Sequence, residues 1–466
     1  MTRAEWIARG GLRGGDVNVG DDRVAFAAVE PHYSPELARA AVKKLFRTWG
    51  LDAARQDAPD WNPLGELIPE GSRVVIKPNW VLHYNQLAGG GMDCLVTHPA
   101  LITAVLEYVM LARPARVVVG DAPLQGCDFA ALRAQCELDA LIRPGVEIVD
   151  FRRTLLTRKG HSADRREDMR EMGNFVLFDL GGDSLIEQLP QQEGQLRVTM
   201  YNPDLLGRTH APGRHQYLIA REIIDADVVI NLPKLKSHMK AGVTGALKNL
   251  IGINGNKEFL PHHRKGGSSQ GGDCYEGYSF WQHCAENLFD AANRRKSGLL
   301  QTALFWAASQ SLRVAKRTGA VGMVEGAWYG NQTVWRTCLD LNRVLRYGKL
   351  DGTLAEEPQR RTIHITDAII GGQGEGPLRV EPIASGFLTG ALNPAAAEWV
   401  NVRAMGWNPA RLPIVREAFG EFRWPLASFR PETITVATAA GVVNQSEITP
   451  PRGERFRASE GWLGNV

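Results

Sequence analysis

The chain has 466 residues, with 54 basic against 51 acidic side chains and a formal charge of +3. That near balance argues against a general nucleic-acid binder, which carries a larger or more polarised basic excess. With 44% hydrophobic and 23% charged residues, the composition is that of a globular protein long enough for a large core and two or three domains.

The opening residues, MTRAEWIARGGLRGGD, lack the apolar core of a signal peptide. Nowhere is there an apolar run of about eighteen residues, so a cytoplasmic location without a membrane span is expected. Short β-branched runs then end abruptly in polar, Gly or Pro residues: RVVIKPN from Arg73, ARVVVGDAP from Ala115, VEIVDF from Val146, ADVVINLPK from Ala226 and TIHITDAIIGG from Thr362. Continuous apolar strands of this kind suit a parallel sheet buried on both faces. Between the first two lies HPALITAVLEYVMLAR, apolar at helical spacing, with Thr97 or His98 near the N-cap and Pro99 in the first turn. Strand, helix and strand make a βαβ unit.

Two stretches look like insertions, the charged Thr157 to Asp168 and the Gly/Ser-rich Arg264 to Gly277. The region after Cys274 reads as mainly helical, and Ser297 to Leu312 as an amphipathic helix. Six cysteines, Cys94, Cys127, Cys136, Cys274, Cys284 and Cys338, are scattered without a CxxC, which argues against a zinc ribbon, an iron–sulfur cluster or a disulfide framework.

The most unusual stretch is VVINLPKLKSHMKAGVTGALKNLIGINGNKEF, from Val228. Between Asn231 and Lys265 it holds six lysines and one arginine against one acid, Glu258. Pro233 is expected to end ladder pairing. Lys234, Lys236, His238 and Lys240 then lie in a non-strand segment, and a short helix capped by Thr244 and ended by Gly252 carries Lys248 and Asn249. Lysines interleaved with Gly and apolar residues are prone to desolvation, which makes them usable bases or nucleophiles, and they favour anions.

Ligands of open α/β sheets sit beyond the carboxyl ends of the strands. That rule gathers Lys77, Asn79, Asp121, Asn231, Lys234, Lys236 and Asp367 on one edge, with Thr97 and His98 at the helix start. Asp121 reads equally as a cap for nearby backbone donors. ITDAIIGGQGEGP offers Asp367, Gly374 and Glu375 on an expected glycine-rich loop that lets backbone approach a ligand, or serves only as turns. Walker, GxSxG and GxGxxG patterns are missing. His98, His238, His262 and His263 with Asp121 or Asp367 lack metal-ligand spacing.

In this order, VVIKPNWV, VTHPALITAVLEYV, VVVGDAP, the lysine segment and ITDAIIGGQGEGP resemble the DUF362 family of uncharacterised bacterial and archaeal proteins, from about Val74 to Trp407. Some members carry a ferredoxin-type iron–sulfur module, for which this chain lacks the cysteines. The resemblance implies a DPVAxD segment after the glycines; here it is NPAAAEW, with Asn393 and Glu398 in the aspartate positions.

The expected fold is α/β: a mostly parallel sheet with helices on both faces, formed by 20–270 and 355–445, with a largely helical subdomain or cap at 271–354 and tails at 1–19 and 446–466. The expected function is an enzyme for a small anionic carboxylate or phosphate. Lys234, Lys236, His238, Lys248, Asp121 and Asp367 carry the chemistry, and Lys77, Asn79, Thr97, His98, Asn231, Lys240, Thr244, Asn249, Gly374 and Glu375 bind substrate. Two alternatives remain open: a metal- or organometallic-cofactor racemase or redox enzyme using His98 and His238, and a non-catalytic anion- or nucleic-acid-binding protein. A divalent metal and homo-oligomer formation are open as well.

Overall fold

The computed structural model describes residues 20–157, 165–190, 194–295, 298–320 and 324–466, without the side chains of 156–157 and 165–167. The expected tail at 1–19 and residues 158–164 of the charged insertion lie outside the described residues.

Twelve strands share one sheet: β1 (Arg23–Ala28), β2 (Arg73–Pro78), β3 (Arg116–Asp121), β4 (Val146–Asp150), β5 (Val228–Leu232), β6 (Lys234–His238), β7 (Gly242–Thr244), β8 (Arg361–Glu375), β9 (Arg379–Ile383), β10 (Phe387–Ala391), β11 (Thr435–Thr438) and β12 (Gly441–Asn444). Their order is β12-β11-β1-β10-β8-β5-β2-β3-β4, with β6 and β9 added on β8 and β7 on β6. The run β8-β5-β2-β3-β4 is parallel throughout, whereas β10 meets both β8 and β1 antiparallel.

Side-chain alternation explains why these runs are continuously apolar. Val74, Ile76, Val117, Val119, Val228 and Ile230 point to one face and bury against α1 (Pro35–Trp49) and α2 (Pro99–Leu111). Val75, Val118 and Val229 point to the other, against Tyr217, Ile253 and Leu341. Each such buried side chain contributes about 1.5–3 kcal/mol, and both faces of every central strand are held. The fold is thus α/β, with a mostly parallel sheet.

In the mainly helical stretch, α3 (Phe280–Asn293) and α4 (Leu299–Arg317) form an antiparallel hairpin. The next helix, α5 (Val334–Tyr347), is core: it lies on the second face, and its Asp340 accepts from Ser184, Leu185, Tyr217 and Arg343. On the same face, toward the other end of the sheet, α6 (Pro394–Ala404) packs on β10 and β1 and shares a core with α5. Residues 446–466 return across the molecule and bury Phe456 and Trp462. No helix of the described residues is long and apolar enough to cross a membrane.

Two local expectations are corrected. Pro233 interrupts β5, but its carbonyl accepts from Asp367 N at 2.8 Å and the chain continues as β6 in the same sheet, so Lys234–His238 is a strand. The glycine-rich stretch is likewise no loop: it completes the fifteen-residue β8. Glycine is needed there for close approach, because a Cβ on Gly372 would meet Lys236 Cβ at 2.8 Å and Cys94 O at 2.7 Å.

Candidate functional site

The carboxyl ends of β2, β3 and β5 lie side by side, with Asn231 in register with Lys77. Lys77 Nζ reaches Asp121 Oδ1 at 2.7 Å, both side chains being buried. Asp121 also accepts from Trp80 N at 2.7 Å and Ala122 N at 2.9 Å, so it is at once the partner of a lysine and a cap for backbone donors. Burial is the leading influence on both groups, pushing the Lys77 ammonium down and the Asp121 carboxyl up from their ordinary values.

Asn249 links this edge together. Its Oδ1 accepts from Lys77 Nζ at 3.1 Å and Asn79 Nδ2 at 2.9 Å, and its Nδ2 donates to Asn231 Oδ1 at 2.7 Å. Thr97 Oγ1 accepts from Asn79 N and donates to Leu232 O. Six of the residues singled out in the sequence therefore form one hydrogen-bonded floor. Gly252 lets the chain cross it, since a Cβ there would overlap the Lys77–Asp121 pair.

A second pair stands beside it. Lys234 Nζ lies 2.7 Å from Asp367 Oδ2, both fully buried, and donates to Tyr33 Oη at 2.7 Å. Tyr33 in turn donates to Asp367 Oδ1 at 2.5 Å, and His98 N donates to Oδ2 at 3.0 Å. The His98 ring stacks on Tyr33 with centroids 3.8 Å apart, while its Nδ1 caps α2 through Ala100 N. Burial, helped by Asp367, pushes the Tyr33 hydroxyl well above its ordinary value. Tyr33 was missed in the sequence, where HYSPEL signals only the helix start capped by Ser34.

The remaining lysines are placed differently. Lys236 is fully buried and, among the described residues, donates only to Leu95 O with no carboxylate on it; desolvation drives its ammonium down to about 7. Lys248 is also buried and has no hydrogen-bond or ion-pair partner among the described residues; burial lowers it too. Next to them, His238 accepts at Nδ1 from Lys240 N at 3.0 Å and Ala241 N at 3.2 Å, which leaves the proton on Nε2. Burial, then Lys248 and Lys240, hold His238 well below its ordinary range, and His262 is held down by burial and the same two lysines. Lys240 itself reaches Glu325 at 3.1 Å and donates to Thr199 Oγ1.

Other expected site residues fall elsewhere. Thr244 ends β7 and caps nothing, its Oγ1 being buried without a partner among the described residues; a 3₁₀ turn, Lys248–Ile253, replaces the expected helix and runs through Gly252. Gly374 adopts a left-handed φ of 82° and its carbonyl accepts from Ser237 Oγ, while Glu375 accepts from Glu460 N at 2.7 Å, toward the C-terminal segment. Asn393 is the N-cap of α6. Glu398 is fully buried, accepts from Leu247 N at 2.7 Å and is pushed by burial up to about 8, which keeps it protonated at neutral pH.

The structure puts His98 with Asp367 and His238 with Lys240 and Lys248. Among the described residues no three His, Cys, Asp or Glu side chains cluster as a metal ion requires, and no cysteine is paired.

Beyond Lys240 a cavity of about 230 Å³ opens between the Arg197–Tyr201 segment, His263, the α3–α4 hairpin and Glu325. Thr199, His263 and Glu325 line it and were missed or read otherwise in the sequence. Nothing in their local pattern marks them, because they meet only through the fold.

A family model described as a domain of unknown function, DUF362, matches residues 74–165 and 187–403. The thylakoid-associated protein sll1697 of Synechocystis sp. (strain ATCC 27184 / PCC 6803 / Kazusa) is 27% identical over 189 residues, 41% of each chain, so this chain spans well under half of that relative. A crystal structure of a Thermotoga maritima protein aligns over 76% of this chain and 54% of its own, at 8% identity and a TM-score of 0.30. The lactate racemase apoprotein from Thermoanaerobacterium thermosaccharolyticum aligns over 63% and 50%, at 14% identity and a TM-score of 0.25. The family match spans the whole lysine segment and most of the sheet, and the chain belongs to the DUF362 family.

Proposed function

We propose that this chain is an enzyme whose substrate is a small anion, a carboxylate or phosphate, held by Lys236 and Lys248, with proton exchange at Lys236. The observation that supports this is the pair of buried lysines without a carboxylate partner among the described residues. A buried ammonium is costly unless it is paired, so it either loses its proton or acquires an anion from outside. Lys236, at about 7, exchanges a proton readily at neutral pH, as an acid–base group must. Lys234 and Lys77 already hold carboxylates and fit a supporting role. His238, neutral with its Nε2 proton free to donate, adds a donor to the same group.

Calorimetry with a panel of phosphorylated and carboxylated metabolites tests the reading. Binding that weakens at least about ten-fold in Lys236→Met and in Lys248→Met supports it. A panel without a binder, or variants that bind like the parent chain, overturns it.

A further inference from the structure

The cavity beyond Lys240 differs in chemistry from the lysine group it adjoins. The charges around it already satisfy one another. Arg197 makes a two-point contact with Asp290, at 2.9 Å for both Nε and Nη2, and Lys265 reaches the same carboxylate at 2.8 Å. Glu325 holds Lys240. Glu286 accepts from Gly266 N at 2.9 Å through Oε1, and burial pushes its carboxyl up, toward the neutral form. Among the described residues a guest meets an apolar wall of Val198, Tyr201, Phe289, Leu312 and Val324, and two unmatched atoms, Nδ1 of His263 and Oε2 of Glu286. His263 is 5% exposed, and burial with Lys240 nearby keeps its ring uncharged. A cavity of about 150 Å³ suffices for benzene, so one of about 230 Å³ takes a substituted ring or a branched chain of similar bulk.

Position links the two chemistries. Lys240 touches Thr199 and Glu325, which line the cavity, and its backbone N–H rests on His238 beside Lys248. We infer that the cavity receives the neutral, ring-sized body of the same molecule whose anionic group rests on Lys236 and Lys248, with a hydroxyl or N–H of that body bonded to His263. This rests on the anion-binding reading above and adds the class of substrate: an aryl or branched-alkyl carboxylate or phosphate. The α3–α4 hairpin, which supplies Phe289 and Leu312, then acts as a wall of the substrate site.

Calorimetry with two matched pairs, methyl against phenyl phosphate and acetate against phenylacetate, tests it in the full chain. The expected result is that the aryl member of at least one pair binds about ten-fold or more tightly, and that filling the cavity with Val198→Phe, or with Leu312→Phe should the first variant fold poorly, returns the ratio to about one. Equal binding of both members overturns the inference and leaves the anion-binding reading intact. An aryl preference that survives both filled variants also overturns it, by placing the ring elsewhere. If no member of either pair binds, this inference falls, and the anion-binding reading is decided by the wider metabolite panel.

Discussion

Lys234 and Lys236 stand two residues apart on one strand, both fully buried, yet their surroundings are opposite. Lys234 meets Asp367 and Tyr33, much as Lys77 meets Asp121. Lys236 and Lys248 meet no carboxylate among the described residues. The register of β6 on β8 jumps between Lys234, opposite Asp367, and Lys236, opposite Gly372, and this irregularity separates the two settings. The lesson lies in sign: the paired lysines belong to the stability of the fold, and the unpaired ones cost stability, a cost that the proposed anion would offset.

The largest effect is expected from breaking a pair. Lys234→Met or Asp367→Asn should each lower unfolding free energy by about 3–5 kcal/mol, because the remaining group is buried alone. The double variant Lys234→Met with Asp367→Leu should lose clearly less than the sum, as read in denaturant titrations. Gly252→Ala drives a methyl into the Lys77–Asp121 pair and should cost about 2–3 kcal/mol.

Lys236→Met should go the other way, gaining about 2 kcal/mol at neutral pH while anion binding is lost. The sign follows from linkage. In the fold Lys236 sits at about 7, below its ordinary 10.5, so between those values the unfolded chain holds more protons and stability rises with pH. The methionine variant should flatten that part of the stability–pH profile. Glu398 supplies the smallest and opposite test. Raised from 4.5 to about 8, it makes the folded chain the greater proton holder in that window, so its stabilising contribution is full at low pH and lost as pH rises through about 8. Glu398→Gln should remove this slope and gain about 1 kcal/mol at the alkaline end, read from thermal unfolding across pH.

The parallel sheet was legible in the sequence because β2, β3, β5 and the start of β8 are β-branched runs buried on both faces, and His98-Pro99 announced α2. The strand identity of Lys234–His238 was hidden, since Pro233 and a polar pattern mimic a loop. Only the neighbouring β8, thinned by glycines, makes room for it. Of the floor, Lys77, Asn79, Asp121 and Asn231 followed from the rule that strand ends converge, whereas Thr97 was read at a helix start and Asn249 inside a short helix, and their hydrogen bonds bring them in. Tyr33, some 201 residues from Lys234, and Thr199 and Glu325 beside Lys240 carry no local signal, because long-range contacts alone bring them in.

The most direct test of the account is the proton balance of anion binding. The tightest carboxylate of the panel should be titrated calorimetrically at about pH 8 in two buffers of different ionisation enthalpy, where neither ligand nor His238 changes charge. Free Lys236 is then largely neutral and must charge to hold the anion. The account predicts uptake of close to one proton, absent in Lys236→Met, and affinity that falls as pH rises above about 7. Binding with no proton taken up, equally strong on both sides of that value, would contradict it.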